Sequence, residues 1–315
     1  MKKIREVLSS LRNRFLFPAT HEVRQINKFN QDQLLKRLET IQLALGRIES
    51  RQVNNEISSQ INDYEFQVFS QWGEDGIIHY LMSEVNIERK IFVEFGVEDY
   101  KQANTRFLLV NKNWSGLVID GSKANVDRIK GDYIYWNYNL KAIHSFVTKN
   151  NINELLVENG LKGEIGLLSI DIDGNDYWIW DSIHVIEPAI VVIEYNHRFG
   201  CEHALTIPYD ENFERSKSHY SMIYYGASLK ALCNLAEEKG YLFVGCSSNG
   251  VNAFFVNAKK MPASLMEVSP NEGYFSGQFC ETRNEIGVQI KRTPEEEVKL
   301  LYNLGLPLIN LEDRQ

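Results

Sequence analysis

The arrangement of apolar and polar positions divides the chain into a helical N-terminal part and a longer α/β part. Between residues 26 and 60, apolar residues recur at alternating spacings of four and three, at Leu34, Leu38, Ile41, Leu45 and Ile48. These are the a and d positions of a coiled coil, in a segment that is otherwise highly polar. The pattern predicts a helix that self-associates, with a single long helix folded back on its own domain as the alternative.

Residues 2–16 place basic side chains between apolar residues at helical spacing. The pattern predicts a basic amphipathic helix that ends before Pro18. Two roles fit it equally, packing on a neighbouring subunit or peripheral contact with an anionic membrane surface. No apolar run approaches the ~20 residues of a membrane span, and the first residues lack the features of a secretory signal.

From Tyr64 onwards, short apolar runs alternate with amphipathic stretches, which predicts a mainly parallel sheet covered by helices. The predicted strands span residues 90–95, 116–120, 133–136, 165–171, 189–194, 241–245 and 252–256. A helix is predicted at 228–239, with Gly240 as its C-terminal stop. Asn249 and Gly250 predict a tight hairpin between the last two strands, so the sheet should close antiparallel.

These patterns predict four segments: an amphipathic helix at 1–25, a coiled-coil helix at 26–60, an α/β domain at 61–260 and a C-terminal helical appendage at 261–315. In the appendage, Thr293 as N-cap, Pro294 and a capping box with Glu296 begin a helix, and Gly305 ends it. We expect this helix to support packing and assign it no chemical role.

Charge and cysteine content narrow the functional classes. The formal net charge of −8 over 315 residues argues against a nucleic-acid partner, because phosphate recognition needs a basic face. The four cysteines include no Cys-x-x-Cys pair, so neither a zinc site nor a disulfide framework is predicted. The expected location is the reducing cytoplasm.

Acidic residues follow the first two predicted strands, at the sheet edge where open α/β folds bind ligands. Glu94 can pair with an ammonium group, and Gly96 lets the backbone approach a ligand closely. Asp120 ends the second strand, where an acid can take both hydroxyls of a ribose. Together they favour a nucleoside-containing cofactor, whereas a plain strand-to-helix turn is the alternative for Glu94 and Gly96.

The fourth and fifth predicted strands end in Asp171 and Asp173, and in Glu194 and His197. Clustered carboxylates are costly near a core unless a positive group satisfies them. Oxygen ligands from Asp171, Asp173 and Glu194 suit Mg²⁺, and a hydrogen-bonded network without metal is the alternative. Asp173 and His197 are the candidate general bases, although a surface-loop histidine is an equal interpretation of His197.

Four motifs together carry a family resemblance. They are Phe92-Val93-Glu94-Phe95-Gly96, Leu117-Val118-Ile119-Asp120, Leu168-Ser169-Ile170-Asp171-Ile172-Asp173-Gly174 and Val191-Val192-Ile193-Glu194-Tyr195. With them, residues 66–256 resemble class I S-adenosylmethionine-dependent methyltransferases, and more narrowly the FkbM-like methyltransferases of polysaccharide biosynthesis. The resemblance implies a Rossmann-like α/β fold, S-adenosylmethionine as cofactor, and tolerance of a metal such as Mg²⁺ at the acidic strand ends.

The resemblance also implies roles for particular residues. Glu94 and Gly96 would contact the methionine part of the cofactor and Asp120 its ribose, while the positive groups of the cofactor would satisfy Asp171. Gln71 and Trp72 precede a predicted helix and would fold over the cofactor. The chain departs from the family at residues 97–100, Val-Glu-Asp-Tyr, where further glycines or small residues are usual.

The expected function is O-methylation of a sugar hydroxyl, on a nucleotide-sugar or a glycan intermediate, by an oligomer assembled through the N-terminal helices. An insertion at 198–226, rich in Tyr, His, Arg and Lys, is expected to carry specificity, with a solvated loop as the alternative. Two other functions remain open. One is a small-molecule N-methyltransferase, and the other is a non-catalytic coiled-coil scaffold whose methyltransferase-like domain has lost its cofactor.

Overall fold

The computed structural model describes residues 17–53, 58 and 60–312, and the predicted helix at 2–16 lies outside them. The chain divides into two compact units, one ending at Ile48 and the other beginning at Glu49. The first contains most of helix α1, Phe17–Val53, which runs through the boundary predicted at residues 25 and 26. Among all the described residues, no helix is both long enough and apolar enough to cross a bilayer.

Helix α1 carries a stripe of exposed apolar residues. The five residues of the predicted seam, from Leu34 to Ile48, are each 50–58% exposed. The C-terminal end of the helix differs, because Val53 is buried and the Ser50 carbonyl accepts a hydrogen bond from His79 at 3.1 Å. Both contacts lie within the second unit.

The second unit is an α/β domain. Its strands are β1 Ile91–Phe95, β2 Ser115–Asp120, β3 Leu140–His144, β4 Gly163–Ile170, β5 Ile186–Glu194, β6 Leu205–Thr206, β7 Tyr241–Cys246, β8 Asn252–Asn257 and β9 Ile309–Asn310. Its α-helices are α2 Glu74–Glu84, α3 Arg106–Lys112, α4 Lys123–Gly131, α5 Tyr133–Asn137, α6 Ile152–Glu158, α7 Asp176–Ser182, α8 Arg215–Ser218, α9 Leu229–Glu238, α10 Pro270–Gly273 and α11 Pro294–Asn303. Short 3₁₀ helices of three or four residues lie at Ile61–Tyr64, His197–Phe199 and Ala258–Lys260.

Seven strands form one sheet in the order β3-β2-β1-β4-β5-β8-β7. The first five are parallel, and β8 pairs antiparallel with both β5 and β7. The predicted Rossmann-like sheet with an antiparallel closing hairpin is therefore confirmed. Because the strand order reverses between β1 and β4, a crevice for ligands is expected at their carboxyl ends.

The prediction of a third strand at residues 133–136 was wrong, since this segment is helix α5. Tyr, Ile and Trp favour strands, but the Asp132 side chain accepts a hydrogen bond from the Ile134 N–H and caps a helix. Trp136 is 72% exposed, and only Ile134 of the run is buried. The actual third strand, Leu140–His144, shows the alternating burial of a sheet edge.

The predicted helix boundaries agree with the structure. Ser228 caps α9 by accepting a hydrogen bond from the Ala231 N–H. Thr293 and Glu296 form the predicted capping box of α11. The small sheet formed by β6 and β9 pairs Leu205 with Asn310, so the insertion after β5 is tied to the C-terminal segment.

Candidate functional site

Two adjoining cavities lie at the carboxyl ends of β1, β2, β4 and β5. The aromatic chamber, about 200 Å³, is lined by Gly96, Glu98, Ile119, Asp120, Gly121, Ser122, Ser145, Phe146, Val147, Asp171, Ile172, Asp173, Asn175 and Phe213. The acidic chamber, about 260 Å³, is lined by Gln71, Glu94, Gly96, Val97, Glu98, Gln102, Ala103, Asn104, Asp171, Asp173, Glu194, Arg215, Asn252 and Glu281. Four residues line both: Gly96, Glu98, Asp171 and Asp173. The two chambers therefore meet at the point where the strand order reverses.

Gly96 is required at this junction by the packing of the backbone. Its φ is +72°, and a Cβ atom there would lie 1.5 Å from the Asp171 carbonyl oxygen. The turns that follow β1 and β4 are thus in direct contact, and only glycine fits between them. The glycine serves this contact as well as lining both chambers.

In the loop after Gly96, two residues other than glycine adopt the left-handed backbone conformation. Glu98 and Tyr100 have φ values of +48° and +62°, a conformation that costs a non-glycine residue ~1–2 kcal/mol. The Glu98 N–H donates to Asp120 Oδ2 at 2.8 Å, and the buried Tyr100 hydroxyl lies 2.8 Å from the Thr105 hydroxyl. Such strain at a cleft marks a segment that its surroundings hold in one shape.

Glu94 fastens this loop to the start of α3. Its Oε1 accepts a hydrogen bond from the Asn104 N–H at 2.9 Å, and its Oε2 accepts one from the Thr105 N–H at 3.1 Å and another from the Thr105 hydroxyl. Burial raises the pKa of Glu94 to about 7, although these hydrogen bonds act to lower it. Glu94 therefore shapes the loop and also forms part of the wall of the acidic chamber.

Asp120 is fixed at the end of β2. Its carboxylate accepts hydrogen bonds from the Glu98 N–H, from the Ser122 N–H at 2.8 Å and from the Asn125 side chain at 3.2 Å. Three donors leave an ionised carboxylate with room for another, such as a ligand hydroxyl. The residue is 7% exposed and lines the aromatic chamber, beside Phe146.

Asp171, Asp176 and Glu194 form the acidic cluster at the ends of β4 and β5. They offer ligand atoms that lie within 4.8 Å of one another. Burial raises the pKa of Asp171 and of Glu194 well above the ordinary range. The charge of Asp173 raises the pKa of Asp171 further, and the charges of Asp171 and Asp173 raise that of Glu194. Asp176 is already engaged, since it accepts the N–H groups of Ile172 at 2.8 Å and Gly174 at 2.9 Å.

Glu194 has one carboxylate oxygen without a hydrogen-bond donor among the described residues. Oε2 is buried and accepts no hydrogen bond from the residues that the structure describes. A buried acceptor without a donor costs ~1–3 kcal/mol. Because Glu194 lines the acidic chamber, this oxygen suits a cation or a hydrogen-bond donor bound there.

Asp173 is paired with an arginine from the insertion. Arg215 Nη1 lies 2.5 Å from Asp173 Oδ1, and Nη2 lies 2.5 Å from Glu281 Oε2. The guanidinium also covers the Tyr225 ring, with Cζ 3.8 Å from its centroid. Arg215 therefore joins the turn after β4, the insertion and the C-terminal segment at one wall of the acidic chamber.

A second arginine of the insertion also forms an ion pair within the protein. The Arg198 side chain is fully buried and pairs with Glu297 of α11 at 2.6 Å. The predicted role of the insertion in specificity stays a prediction, but its Arg198 and Arg215 are neutralised internally. The sequence assigned no chemical role to the helix of the C-terminal appendage. The appendage nevertheless supplies Glu281, which lines the acidic chamber, and Glu297, which pairs with Arg198.

His197 lies outside both chambers. It is 1% exposed, its ring packs edge-to-face on Phe279 with centroids 6.1 Å apart, and neither ring nitrogen has a partner within the described chain. Burial, and to a smaller extent the charge of Arg198, lowers the pKa of His197 to about 3. The ring is therefore neutral near pH 7.

The remaining predicted site residues precede α2. Gln71 lines the acidic chamber, whereas Trp72 is 38% exposed and stacks on Phe279, with centroids 5.8 Å apart. The structure thus brings seven predicted residues to the two chambers: Gln71, Glu94, Gly96, Asp120, Asp171, Asp173 and Glu194. Trp72 and His197 are not among them. Sequence reasoning missed Phe146, Phe213 and Glu281, which follow no periodic pattern.

No protein-family model matches the sequence, and no curated protein matches it either. Among solved structures, the chain is similar to the N-terminal domain of EvdMO1 with SAH bound, at 12% identity over 68% of this chain and 95% of that chain, with a TM-score of 0.41. It is also similar to TrmK of M. capricolum in complex with SAH, at 13% identity over 64% of this chain and 75% of that chain, with a TM-score of 0.36. A third is an S-adenosylmethionine-dependent methyltransferase from Clostridium acetobutylicum, at 8% identity over 68% of this chain and 97% of that chain, with a TM-score of 0.39. At such identities and TM-scores, the fold assignment rests on the strand order of the sheet.

Proposed function

We propose that the protein is an S-adenosylmethionine-dependent O-methyltransferase that acts on a sugar hydroxyl in glycan or nucleotide-sugar biosynthesis. One observation carries the proposal: two chambers of different chemistry meet at the Gly96–Asp171 contact. The aromatic chamber suits a nucleoside and the acidic chamber suits a polar acceptor. A group that spans both would place its reactive centre at the junction.

The residues of the aromatic chamber fit an adenosine. Phe146 and Phe213 supply aromatic walls, and Ile119 and Val147 supply apolar ones. Asp120 retains capacity for a ribose hydroxyl beside them. Toward the junction, Gly96 lines both chambers and would lie beside the methionine part, and the unsatisfied oxygen of Glu194 suits its ammonium group.

S-adenosylmethionine supplies an electrophilic methyl group, which passes to an in-line acceptor oxygen. The task of the protein is to hold that oxygen in line and to take its proton. Asp173 lines both chambers, so its carboxylate is our candidate proton acceptor, with Arg215 fixing its position. We base the proposal on Asp173 and not on His197, because the latter lies outside both chambers.

The acidic cluster also fits a divalent cation. Asp171 and Glu194 would hold it, with the unsatisfied Glu194 Oε2 as one ligand and Asp176 close by. Hard oxygen donors of this kind suit Mg²⁺, which would polarise an acceptor hydroxyl. Asp173, which the sequence predicted as a third ligand, forms an ion pair with Arg215.

We also propose that helix α1 assembles the protein into an oligomer, with another copy of the chain covering the stripe from Leu34 to Ile48. Five large apolar residues at a and d spacing, each at least half exposed, favour pairing with an identical seam. Deleting residues 1–48 spares Ser50 and Val53, which belong to the second unit. Light scattering should show a monomer after the deletion, and an oligomer that survives it would refute this assembly.

The function is tested by methyl transfer from labelled S-adenosylmethionine to a panel of free sugars, nucleotide-sugars and amines, with and without Mg²⁺. We expect label in a sugar, and a loss of turnover of ~10²-fold or more in Asp173→Asn at nearly unchanged cofactor affinity. Glu214→Gln is the matched control, since Glu214 is an exposed acid paired with Lys217. Label only in amines would support N-methylation instead.

A further inference from the structure

Trp72 and Phe279 form an aromatic surface. They come from segments 207 positions apart and stack with centroids 5.8 Å apart and planes 25° apart. Trp72 remains 38% exposed. Gln71, which precedes Trp72, and Glu281, two residues after Phe279, line the acidic chamber. The two segments that carry the aromatic surface therefore also supply residues of the chamber wall.

The turn that carries Trp72 is held from beneath. Its N–H donates to Glu74 Oε2 at 3.0 Å, and Glu74 Oε1 accepts a hydrogen bond from the Asn252 side chain at 3.1 Å. Glu74 is completely buried at the start of α2. The exposed indole is thus mounted on a fixed turn.

The segment that carries Phe279 is fixed as firmly. The Tyr195 hydroxyl donates to the Phe275 carbonyl at 2.6 Å, and the Gln278 N–H donates to the Asn249 carbonyl at 3.2 Å. His197 packs edge-to-face against Phe279. This contact gives His197, which the proposed chemistry does not use, a part in supporting the aromatic surface.

Part of the charge beside this surface is paired within the protein. Glu281 and Asp173 share Arg215, and Glu94 accepts three hydrogen bonds. Near Trp72 the polar groups that line the acidic chamber are an amide, from Gln71, and a carboxylate held by Arg215, from Glu281. Such groups can bind hydroxyls, and the carboxylates of the chamber disfavour a phosphate.

A fixed aromatic face beside hydroxyl-binding groups matches the two sides of a pyranose, whose C–H face is apolar and whose edge carries hydroxyls. We propose that Trp72 and Phe279 form a stacking platform for an uncharged sugar ring of the acceptor, with Gln71 and Glu281 binding its hydroxyls. This inference rests on the proposed function and specifies its substrate class.

The test is saturation-transfer NMR on the full chain, with neutral methyl pyranosides at millimolar concentration, in the presence and absence of S-adenosylhomocysteine. We expect contact signals that fall at least five-fold in Trp72→Ala and about two-fold in Trp72→Tyr, which keeps an aromatic face. Trp136→Ala is the matched control, because Trp136 is an exposed tryptophan on α5 outside both chambers.

Calorimetry with S-adenosylhomocysteine separates the two proposals, because Trp72→Ala should bind it as tightly as the unaltered chain does. Glycoside signals that persist in Trp72→Ala, or that never appear in the unaltered chain, would overturn the platform. So would signals only from amino-sugars or sugar phosphates. If glycosides bind through Trp72 while S-adenosylhomocysteine does not bind, the platform stands and the methyltransferase proposal fails.

Discussion

The two chambers share one sheet edge and four residues, yet they are built in different ways. The aromatic chamber draws mainly on the end of β2 and the turns that directly follow β1, β2, β3 and β4, and adds Phe213 from the insertion. The acidic chamber gathers carboxylates from the ends of β1 and β5 and the turns after β1 and β4, and adds Arg215 from the insertion and Glu281 from the C-terminal segment. Under the proposed function, the turns after the parallel strands would supply most of the cofactor half, whereas Arg215 and Glu281 would help to shape the acceptor half.

The largest expected effect comes from the junction of the two chambers. In Gly96→Ala, the new Cβ would meet the Asp171 carbonyl at 1.5 Å, and the loop already has a φ of +72°. We expect a loss of at least ~4–5 kcal/mol of unfolding free energy, measured in urea. Gly131→Ala is the control, because nothing lies within 4 Å of its Cβ position. Equal stability of the two variants would contradict the close contact.

The acidic chamber should depend on Arg215 for its stability. In Arg215→Gln, Asp173 and Glu281 lose their common partner, so we expect a loss of about 2–3 kcal/mol, less than for a fully buried pair because both acids are partly exposed. Urea unfolding measures it, and Lys217→Gln, at an exposed pair, should lose almost nothing. Affinity for S-adenosylhomocysteine should change less than stability, and a selective loss of that affinity would contradict the division between the chambers.

The aromatic chamber should depend on Asp120 for ligand affinity. Asp120→Ala removes the carboxylate assigned to the ribose and the anchor of the Glu98 N–H. We expect roughly 30-fold weaker binding, about 2 kcal/mol, seen as a smaller rise in Tm on adding S-adenosylhomocysteine. Asp127→Ala, at an exposed acid on the adjacent helix, should keep the full rise. Equal rises in both variants would remove Asp120 from the site.

The pH dependence of stability tests whether the His197 ring is buried in the folded chain. Its pKa is about 3 in the folded chain, against 6.5 for an ordinary histidine. Between these values the unfolded chain binds the extra proton, so the contribution of His197 to stability falls by about 2 kcal/mol as pH drops from 7 to 5. His197→Gln lacks this component and should lose about 2 kcal/mol less over that interval, measured by urea unfolding. Equal losses would mean that the ring titrates in contact with solvent.

The smallest expected effect concerns the strained loop that both chambers share. Glu98→Gly removes the cost of a φ of +48° and should raise the unfolding free energy by about 1 kcal/mol. Asp99→Gly is the control, since Asp99 has no positive φ and should gain nothing. A destabilised Glu98→Gly would show that the side chain has contacts that outweigh the strain.

The sequence predicts the residues at the strand ends better than it predicts the contacts of the insertion and the C-terminal segment. Continuous apolar runs located β1, β2, β4 and β5, so Glu94, Asp120 and Asp171 were placed at the strand ends correctly. The run at 133–136 misled because its aromatic residues favour a strand while Asp132 caps a helix. The Arg215–Glu281 pair joins segments 66 positions apart, and no local pattern encodes such a contact.

Backbone strain and burial were also beyond the reach of pattern reasoning. Residues 97–100, Val-Glu-Asp-Tyr, depart from the glycines or small residues that are usual in the family. Hydrogen bonds to Asp120 and Thr105 nevertheless accompany the left-handed conformation of Glu98 and Tyr100. His197 follows a strand end and so resembled a candidate base. Its burial depends on Gly277 and Phe279, which lie some 80 residues later in the chain.

The most direct test of the central claim is calorimetric titration of the full chain with S-adenosylhomocysteine. The two-chamber site predicts saturable binding at one site per chain, retained in Asp127→Ala and strongly weakened in Asp120→Ala. Absence of binding by a chain that circular dichroism shows to be folded would contradict the account, and would favour a scaffold that assembles through α1 without methyl-transfer chemistry.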